Sequence, residues 1–396
     1  MSYVKKYRPH EYILWQGKNE PILGQIDIEL TERCNNKCIH CCINRPEDDV
    51  EAQSREMSTD FIKTILTEAA GLGCFSVRFT GGEPLLRDDF EEIYLFARRL
   101  GMKVILFTNA RLINKKLADL LARIPPGHLV EVSVYGMNDE SYDRVAGKRG
   151  AFSEFWSGVQ LLLEYKIPFL VKGAKLDILK EEQKEFEAWA STIPSMNKAP
   201  SYSMNYEFRH RHDDPAKNVY IATLRATPEE TVASISRESI FQREMVRFCS
   251  QFMGLPGDKL FNCGAGYGTC IDAYGNAQLC LPMRSPECVV NLHDMTIKEV
   301  LEEKFTVMRE LRAKNAEYLR RCARCFLKGL CGQCPAKSWL EYGTLDTPVE
   351  YLCEVAHAKA RFIGIVRENE KAWEIDDWQE RVTAFVNVHR LDESIV

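Results

Sequence analysis

The chain has 396 residues, 45% of them hydrophobic and 28% charged, with a net charge of −5. That length exceeds one ordinary core and predicts two domains, while the small net charge excludes a broad basic surface for nucleic acid or anionic lipid. No run approaches the ~20 apolar residues of a membrane span, and the N-terminus, MSYVKKYRPHEY, lacks the apolar core of a signal peptide, so the expected location is cytoplasmic.

An N-terminal extension is expected over 1–23. Apolar runs then predict strands at 25–30, 76–80, 103–107, 129–135, 169–175 and 203–208, and helical periodicity falls at 59–72, 90–100, 115–122, 152–165 and 180–190. Alternation of this kind implies right-handed βαβ units on a mainly parallel sheet. About six units are fewer than the eight of a closed barrel. The expected fold class is therefore α/β, a partial (β/α)6 barrel over 24–220. A helical connection is expected at 221–262, its start marked by Thr227-Pro-Glu-Glu. A small cysteine-rich α+β domain follows over 263–356, then a C-terminal helical tail over 357–396, with a helix expected at 354–369 across that boundary.

Fifteen cysteines are the anomaly. A cytosolic chain of this size needs no disulfide framework, so clustered cysteines point to metal. One group is Cys34, Cys38, Cys41 and Cys42. The other is Cys263, Cys270, Cys280, Cys288, Cys322, Cys325, Cys331, Cys334 and Cys353. Cys74 and Cys249 stand apart and read as small buried apolar residues.

The first group follows the first strand in Thr31-Glu-Arg-Cys34-Asn-Asn-Lys-Cys38-Ile-His-Cys41, with gaps of three and two residues. Three thiolates from one loop suit a four-iron cluster whose fourth iron stays open to a ligand. The alternative is a zinc loop with Cys42 as fourth ligand. One unit later Thr80-Gly81-Gly82-Glu83-Pro84 follows the second strand, which by itself reads as a turn before a helix. Asn109, Ser133 and Arg144 follow on later units; each also reads as an ordinary polar residue near a strand end.

Together these segments resemble the radical S-adenosylmethionine (radical SAM) superfamily: Cys34-x3-Cys38-x2-Cys41 matches its signature and Gly81-Gly82-Glu83-Pro84 its GGEP motif. His40 stands where that family usually has an aromatic ring. The resemblance implies that Cys34, Cys38 and Cys41 hold a [4Fe-4S] cluster whose open iron chelates S-adenosyl-L-methionine. It implies that Gly81, Gly82, Glu83 and Pro84 hold the amino group of the cofactor, with Asn109, Ser133 and Arg144 on its carboxylate and ribose. The implied chemistry is reductive cleavage to methionine and a 5′-deoxyadenosyl radical, with the electron supplied by a low-potential donor such as flavodoxin or ferredoxin.

Beyond the barrel, Cys263, Gly275 and Cys280, then Cys322-x2-Cys325-x5-Cys331-x2-Cys334 and Cys353, resemble the SPASM extension, which carries two auxiliary four-iron clusters. Here the last gap of the middle motif holds two residues, Gly332 and Gln333, where the family usually has three. The resemblance implies that Cys322, Cys325, Cys331 and Cys353 ligate one cluster. Cys263, Cys280 and Cys334 would ligate the other, with Cys270, or more weakly Cys288, as its candidate fourth ligand. Judged alone, the paired spacings Cys322-x2-Cys325 and Cys331-x2-Cys334 favour a zinc ribbon.

Members with this extension most often modify peptides or proteins, and auxiliary clusters suit net oxidation. The implied function is a peptide or protein maturase that forms a cross-link or removes hydrogen; a tetrapyrrole or small metabolite is the alternative substrate. The first 24 residues are too short for the leader-binding domain of many peptide-modifying relatives. Leu281 stands where sulfatase-maturing relatives place an acid, which disfavours that subtype. The polar stretch 209–214 reads as a solvated loop or a substrate contact. A multi-cluster electron carrier and a zinc-stabilised interaction protein are the readings from other classes.

Overall fold

Strand β1, Gln25–Thr31, alternates half-buried and buried residues and is then buried throughout, as expected of a parallel strand covered on both faces. β2 (Ser76–Gly81), β3 (Lys103–Thr108), β4 (Val130–Ser133), β5 (Phe169–Ala174) and β6 (Ser201–Ser203) lie beside it in that order, each parallel to the last. The intervening helices are α1 (Val50–Arg55), α2 (Thr59–Gly71), α3 (Phe90–Arg99), α4 (Lys115–Arg123), α5 (Asp139–Ala146), α6 (Ala151–Glu164) and α7 (Gln183–Ala190). The expected open six-unit α/β arrangement is thus present in this computed structural model. It describes residues 23–211, 213–236, 245, 248–249, 252–266 and 268–390. Most of the N-terminal extension, His212 of the polar stretch, much of 237–251 in the helical connection and the last six residues of the tail lie outside them.

Several details differ from expectation, among them α1, which was not expected, and the helix expected at 354–369, which is Glu350–Phe362. The strand expected at 203–208 is the shorter β6, and a 3-10 turn, Asn205–Glu207, takes up the rest. Helix α5 was not foreseen. Its short sequence is mostly polar, and it is fixed by its ends: the Asn138 side chain accepts from Ser141 N, and Gly147 closes it at φ +64°.

The described chain divides into two units. The first is 1–204 with 264–281 and 286–308; the second is 205–263 with 282–285 and 309–396. The expected cysteine-rich segment is therefore shared between them. In the first unit β7 (Thr269–Ile271) pairs parallel with the other edge of β1, and β8 (Asn276–Gln278) and β9 (Val289–Asn291) follow antiparallel. β7 satisfies the backbone groups that an open edge of β1 would leave unpaired. The second unit is mainly helical: α8 (Pro215–Thr223), α9 (Pro228–Ile235), α10 (Ala316–Arg320), α11 (Pro335–Tyr342), α12 (Glu350–Phe362) and α13 (Trp378–Arg390). The start signal at Thr227 is a full capping box with Glu230. Phe326, Leu327, Leu330, Ala360 and Phe385 form its core with Cys249, and Cys74 is likewise buried in the first unit. Among the described residues no helix is long and apolar enough to cross a membrane.

Candidate functional site

The motifs converge because parallel strands deliver their following loops to one edge of the sheet. β1 ends at Thr31, and Cys34 comes three residues later; β2 ends at Gly81, β3 at Thr108 and β4 at Ser133. The glycines lock two of these loops together. Gly82 N donates to Thr31 O at 2.7 Å and Glu83 N to Arg33 O at 2.8 Å. A Cβ on Gly81, which sits at φ +133°, would meet Thr31 O at 2.1 Å, and one on Gly82 would meet Arg33 O at 2.2 Å. The close approach these glycines allow is therefore to the backbone of the cysteine loop itself. On its other side the loop hangs on α5: Lys37 N donates to Ala146 O at 2.7 Å and Ile39 N to Val145 O at 3.0 Å.

Glu83 is no solvated turn residue; it is 0% exposed. Its Oε1 accepts from Leu85 N (3.1 Å) and Thr108 Oγ1 (2.9 Å), and its Oε2 from Asn109 N (2.8 Å). A carboxylate takes about four such bonds, so Oε2 retains acceptor capacity. Burial raises its pKa to about 7 against the lowering effect of the bonds from Asn109, Leu85 and Thr108 and of nearby Arg111. Pro84 begins the short turn that Glu83 caps.

Asn109 is buried, and its Nδ2 donates to Asn35 Oδ1 at 2.7 Å, 3.9 Å from Cys34 Sγ. Arg111, which sequence reasoning missed, binds Asn36 Oδ1 at 2.6 Å and Glu154 at 2.6 and 2.9 Å, tying the cysteine loop to α6. Ala110 between them sits at φ +64°, the turn that lets both side chains return to the loop. Ser133 is half-buried at the end of β4, whereas Arg144 is exposed on α5 and shares no bond with this network. His40 packs edge-on against Tyr135, and Tyr135 against Tyr142.

Cys34 and Cys38 are buried and Cys41 and Cys42 half-buried, all with free thiols. Burial, then Cys38, Glu83 and Cys41, push the Cys34 thiol well up, while Asn36 N, 3.4 Å from its sulfur, favours the thiolate. Tyr142 Oη, Asn35 Nδ2 and Asn36 Nδ2 are buried without a hydrogen-bond partner. Gathered soft thiols and orphaned donors fit an iron–sulfur group, which brings positive iron and acceptor sulfurs. Among the described residues no three Cys, His, Asp or Glu side chains close on a single-ion position; a cluster that gives each thiolate its own iron does not require one.

The second unit holds a cavity of ≈ 220 Å³ lined by Cys263, Cys322, Cys325, Cys331, Cys334 and Cys353. Burial, reinforced by neighbouring thiols, pushes Cys322 and Cys325 up to about 12. Arg321 Nη2 donates to Cys353 Sγ at 3.6 Å while binding Glu350 through both oxygens, at 2.6 and 2.8 Å. His357 Nδ1 lies 2.8 Å from Cys353 O and 3.6 Å from its sulfur, and Nε2 accepts from Ala372 N. Cys270, on β7 opposite Asp27, and Cys280 belong to the first unit, as does buried Cys288. The polar stretch is partly self-bonded, with Arg211 on Asp213 and His210 Nδ1 3.3 Å from Glu341.

Residues 28–191 match the model of the Radical SAM superfamily. An AdoMet-dependent heme synthase of Methanosarcina barkeri is 33% identical over 143 residues, 36% of this chain and 40% of the relative. The antilisterial bacteriocin subtilosin biosynthesis protein AlbA of Bacillus subtilis is 25% identical over 334 residues, 82% of this chain and 70% of the relative. The chain thus matches less than half the length of the heme synthase but most of AlbA. Among solved structures, Streptococcus suis SuiB bound to S-adenosylmethionine superposes with a TM-score of 0.58 at 17% identity, covering 82% of this chain and 76% of SuiB; that likeness shows the fold.

Proposed function

We propose that the chain is a radical SAM enzyme that cleaves S-adenosyl-L-methionine reductively and uses the radical to oxidise a peptide or protein, forming a cross-link or a dehydrogenated residue. The observation that carries this reading is the convergence of the three-cysteine loop with fully buried Glu83 at one edge of the sheet. The peptide substrate draws support from AlbA; a heme synthase is matched over as much of the chain. The heme-synthase similarity keeps a tetrapyrrole as the second reading.

When bound, the cluster would supply the electron for reductive cleavage of S-adenosyl-L-methionine, the source of the hydrogen-abstracting radical. Cys34, Cys38 and Cys41 hold it. Oε2 of Glu83 and the Gly82 carbonyl accept from the ammonium of the cofactor, and Asn109, Ser133 and Arg144 serve its carboxylate and ribose. Cys322, Cys325, Cys331 and Cys353 hold one auxiliary cluster, and Cys263 and Cys334, on the same cavity, are ligands for a second. The donor is a flavodoxin or ferredoxin.

The Glu83 role makes binding pH-dependent. Its folded pKa, about 7, lies above the ordinary 4.5. Its contribution to stability is therefore fully present below about 4.5 and lost as pH rises through about 7. A bound ammonium favours the carboxylate, so cofactor affinity should rise with pH, by at most about tenfold per unit, and level off above about 7. Calorimetric titrations between about pH 6 and pH 8 check this against Glu83→Gln, which should show no such slope; a flat wild-type profile would contradict the role.

The auxiliary cysteines carry a separate expectation. With Cys322, Cys325, Cys331 and Cys353 changed to alanine, about one third of the iron should go, Tm should fall, and peptide turnover should stop, because cluster binding is part of this segment's folding energy. Full turnover by that variant would remove the auxiliary role.

The reading as a whole is tested by anaerobic incubation with S-adenosyl-L-methionine, reductant and peptides encoded beside the gene. Mass spectrometry should find a peptide short of two hydrogens, with matching 5′-deoxyadenosine. Unchanged peptides alongside conversion of a porphyrin substrate would favour the second reading.

A further inference from the structure

Tyr142 is wholly buried on α5, its ring 5.7 Å from that of Tyr135, 5.8 Å from Phe152 and 4.8 Å from Phe155. Phenylalanine would fill that aromatic site equally well. Yet a hydroxyl is present, fully shielded and without a partner, an arrangement that costs stability unless something else accepts its proton.

Helix α5 determines what that hydroxyl meets. Tyr142 and Ala146 are one turn apart on its buried face. The carbonyls of Val145 and Ala146 bind the N–H groups of Ile39 and Lys37, the two neighbours of Cys38. A Cβ on Gly147 would meet Lys37 O at 2.6 Å, so helix end and cysteine loop are in direct contact. Burial raises the hydroxyl's pKa, and the charges felt there belong, in falling order, to Cys38, Arg111, Glu83 and Cys34. Asn35 Nδ2 and Asn36 Nδ2, on the same loop, are also orphaned.

We infer that Tyr142 is a positioning residue for the group held by Cys34, Cys38 and Cys41, its hydroxyl donating a hydrogen bond to a sulfur of that group on the Cys38 side. The inference rests on the cluster reading of the loop. A donor to cluster sulfur favours the more negative, reduced state, so Tyr142 makes the cluster easier to reduce.

The test is Tyr142→Phe in the full chain, with three readouts besides turnover. Iron content should match wild type. The iron-free variant should melt at or above the wild-type Tm, since an unsatisfied hydroxyl has been removed, whereas the reconstituted variant should lose that advantage. An EPR-monitored redox titration without S-adenosyl-L-methionine should find a more negative midpoint; tenfold weaker electron uptake corresponds to 59 mV for one electron. Full iron with an unchanged midpoint would overturn the inference alone. So would equal gains in Tm with and without iron, or a fall in S-adenosyl-L-methionine affinity with no midpoint change, which would assign the hydroxyl to the cofactor. Absence of iron from the loop in the wild type would overturn the cluster reading and the inference together.

Discussion

A variant with Cys34, Cys38 and Cys41 all changed to alanine will form no 5′-deoxyadenosine, yet will keep about two thirds of its iron. The loss is complete because the three thiols come from one loop, whereas Cys270 lies on the far-edge strand β7 and Cys280 just beyond β8. The remaining iron stays because the variant leaves every auxiliary cysteine untouched, the six around the second unit's cavity among them. Iron assay, EPR of the dithionite-reduced protein and chromatography of its products measure both halves. Undiminished cleavage of S-adenosyl-L-methionine would refute the assignment of the loop.

Gly82→Ala should be nearly as damaging, although it removes no ligand. The new Cβ would lie 2.2 Å from Arg33 O and 2.6 Å from Glu32 O. Both are backbone atoms of the cysteine loop and cannot rotate away. Overpacking of this kind typically costs ~1–3 kcal/mol, and relief requires the loop carrying Cys34 to move off β2. The expected result is loss of iron from the first site with the auxiliary iron retained. Gly71→Ala is the control: it ends α2 with nothing within 4 Å of the added Cβ, and it should be neutral or stabilising by up to ~1 kcal/mol. Wild-type cofactor affinity in Gly82→Ala would contradict the clamp between the two loops.

The parallel sheet was legible because strands buried on both faces read as short apolar runs, each followed by a helical period. What lacked such a signal was missed. α5 is short and mostly polar, and is defined by Asn138 and Gly147 at its ends. β7, β8 and β9 have three residues each, too few to show a period, so their place on the edge of β1 had no trace in the pattern. The site divides the same way. Cysteine spacing and Gly81-Gly82-Glu83-Pro84 stand out in any reading of the chain. The burial of Glu83 does not, since its three donors come from its own loop and from the end of β3. Arg111 and Tyr142 were hidden for a related reason. Arg111 acts across 75 residues of chain on Asn36, and Tyr142 occupies an apolar helix position that reads as core.

The measurement that bears most directly on the central claim is the yield of 5′-deoxyadenosine from the anaerobically reconstituted wild-type chain given S-adenosyl-L-methionine and dithionite. 5′-Deoxyadenosine and methionine should form in equal amounts. A chain with its full iron and bound S-adenosyl-L-methionine that forms neither would contradict that claim.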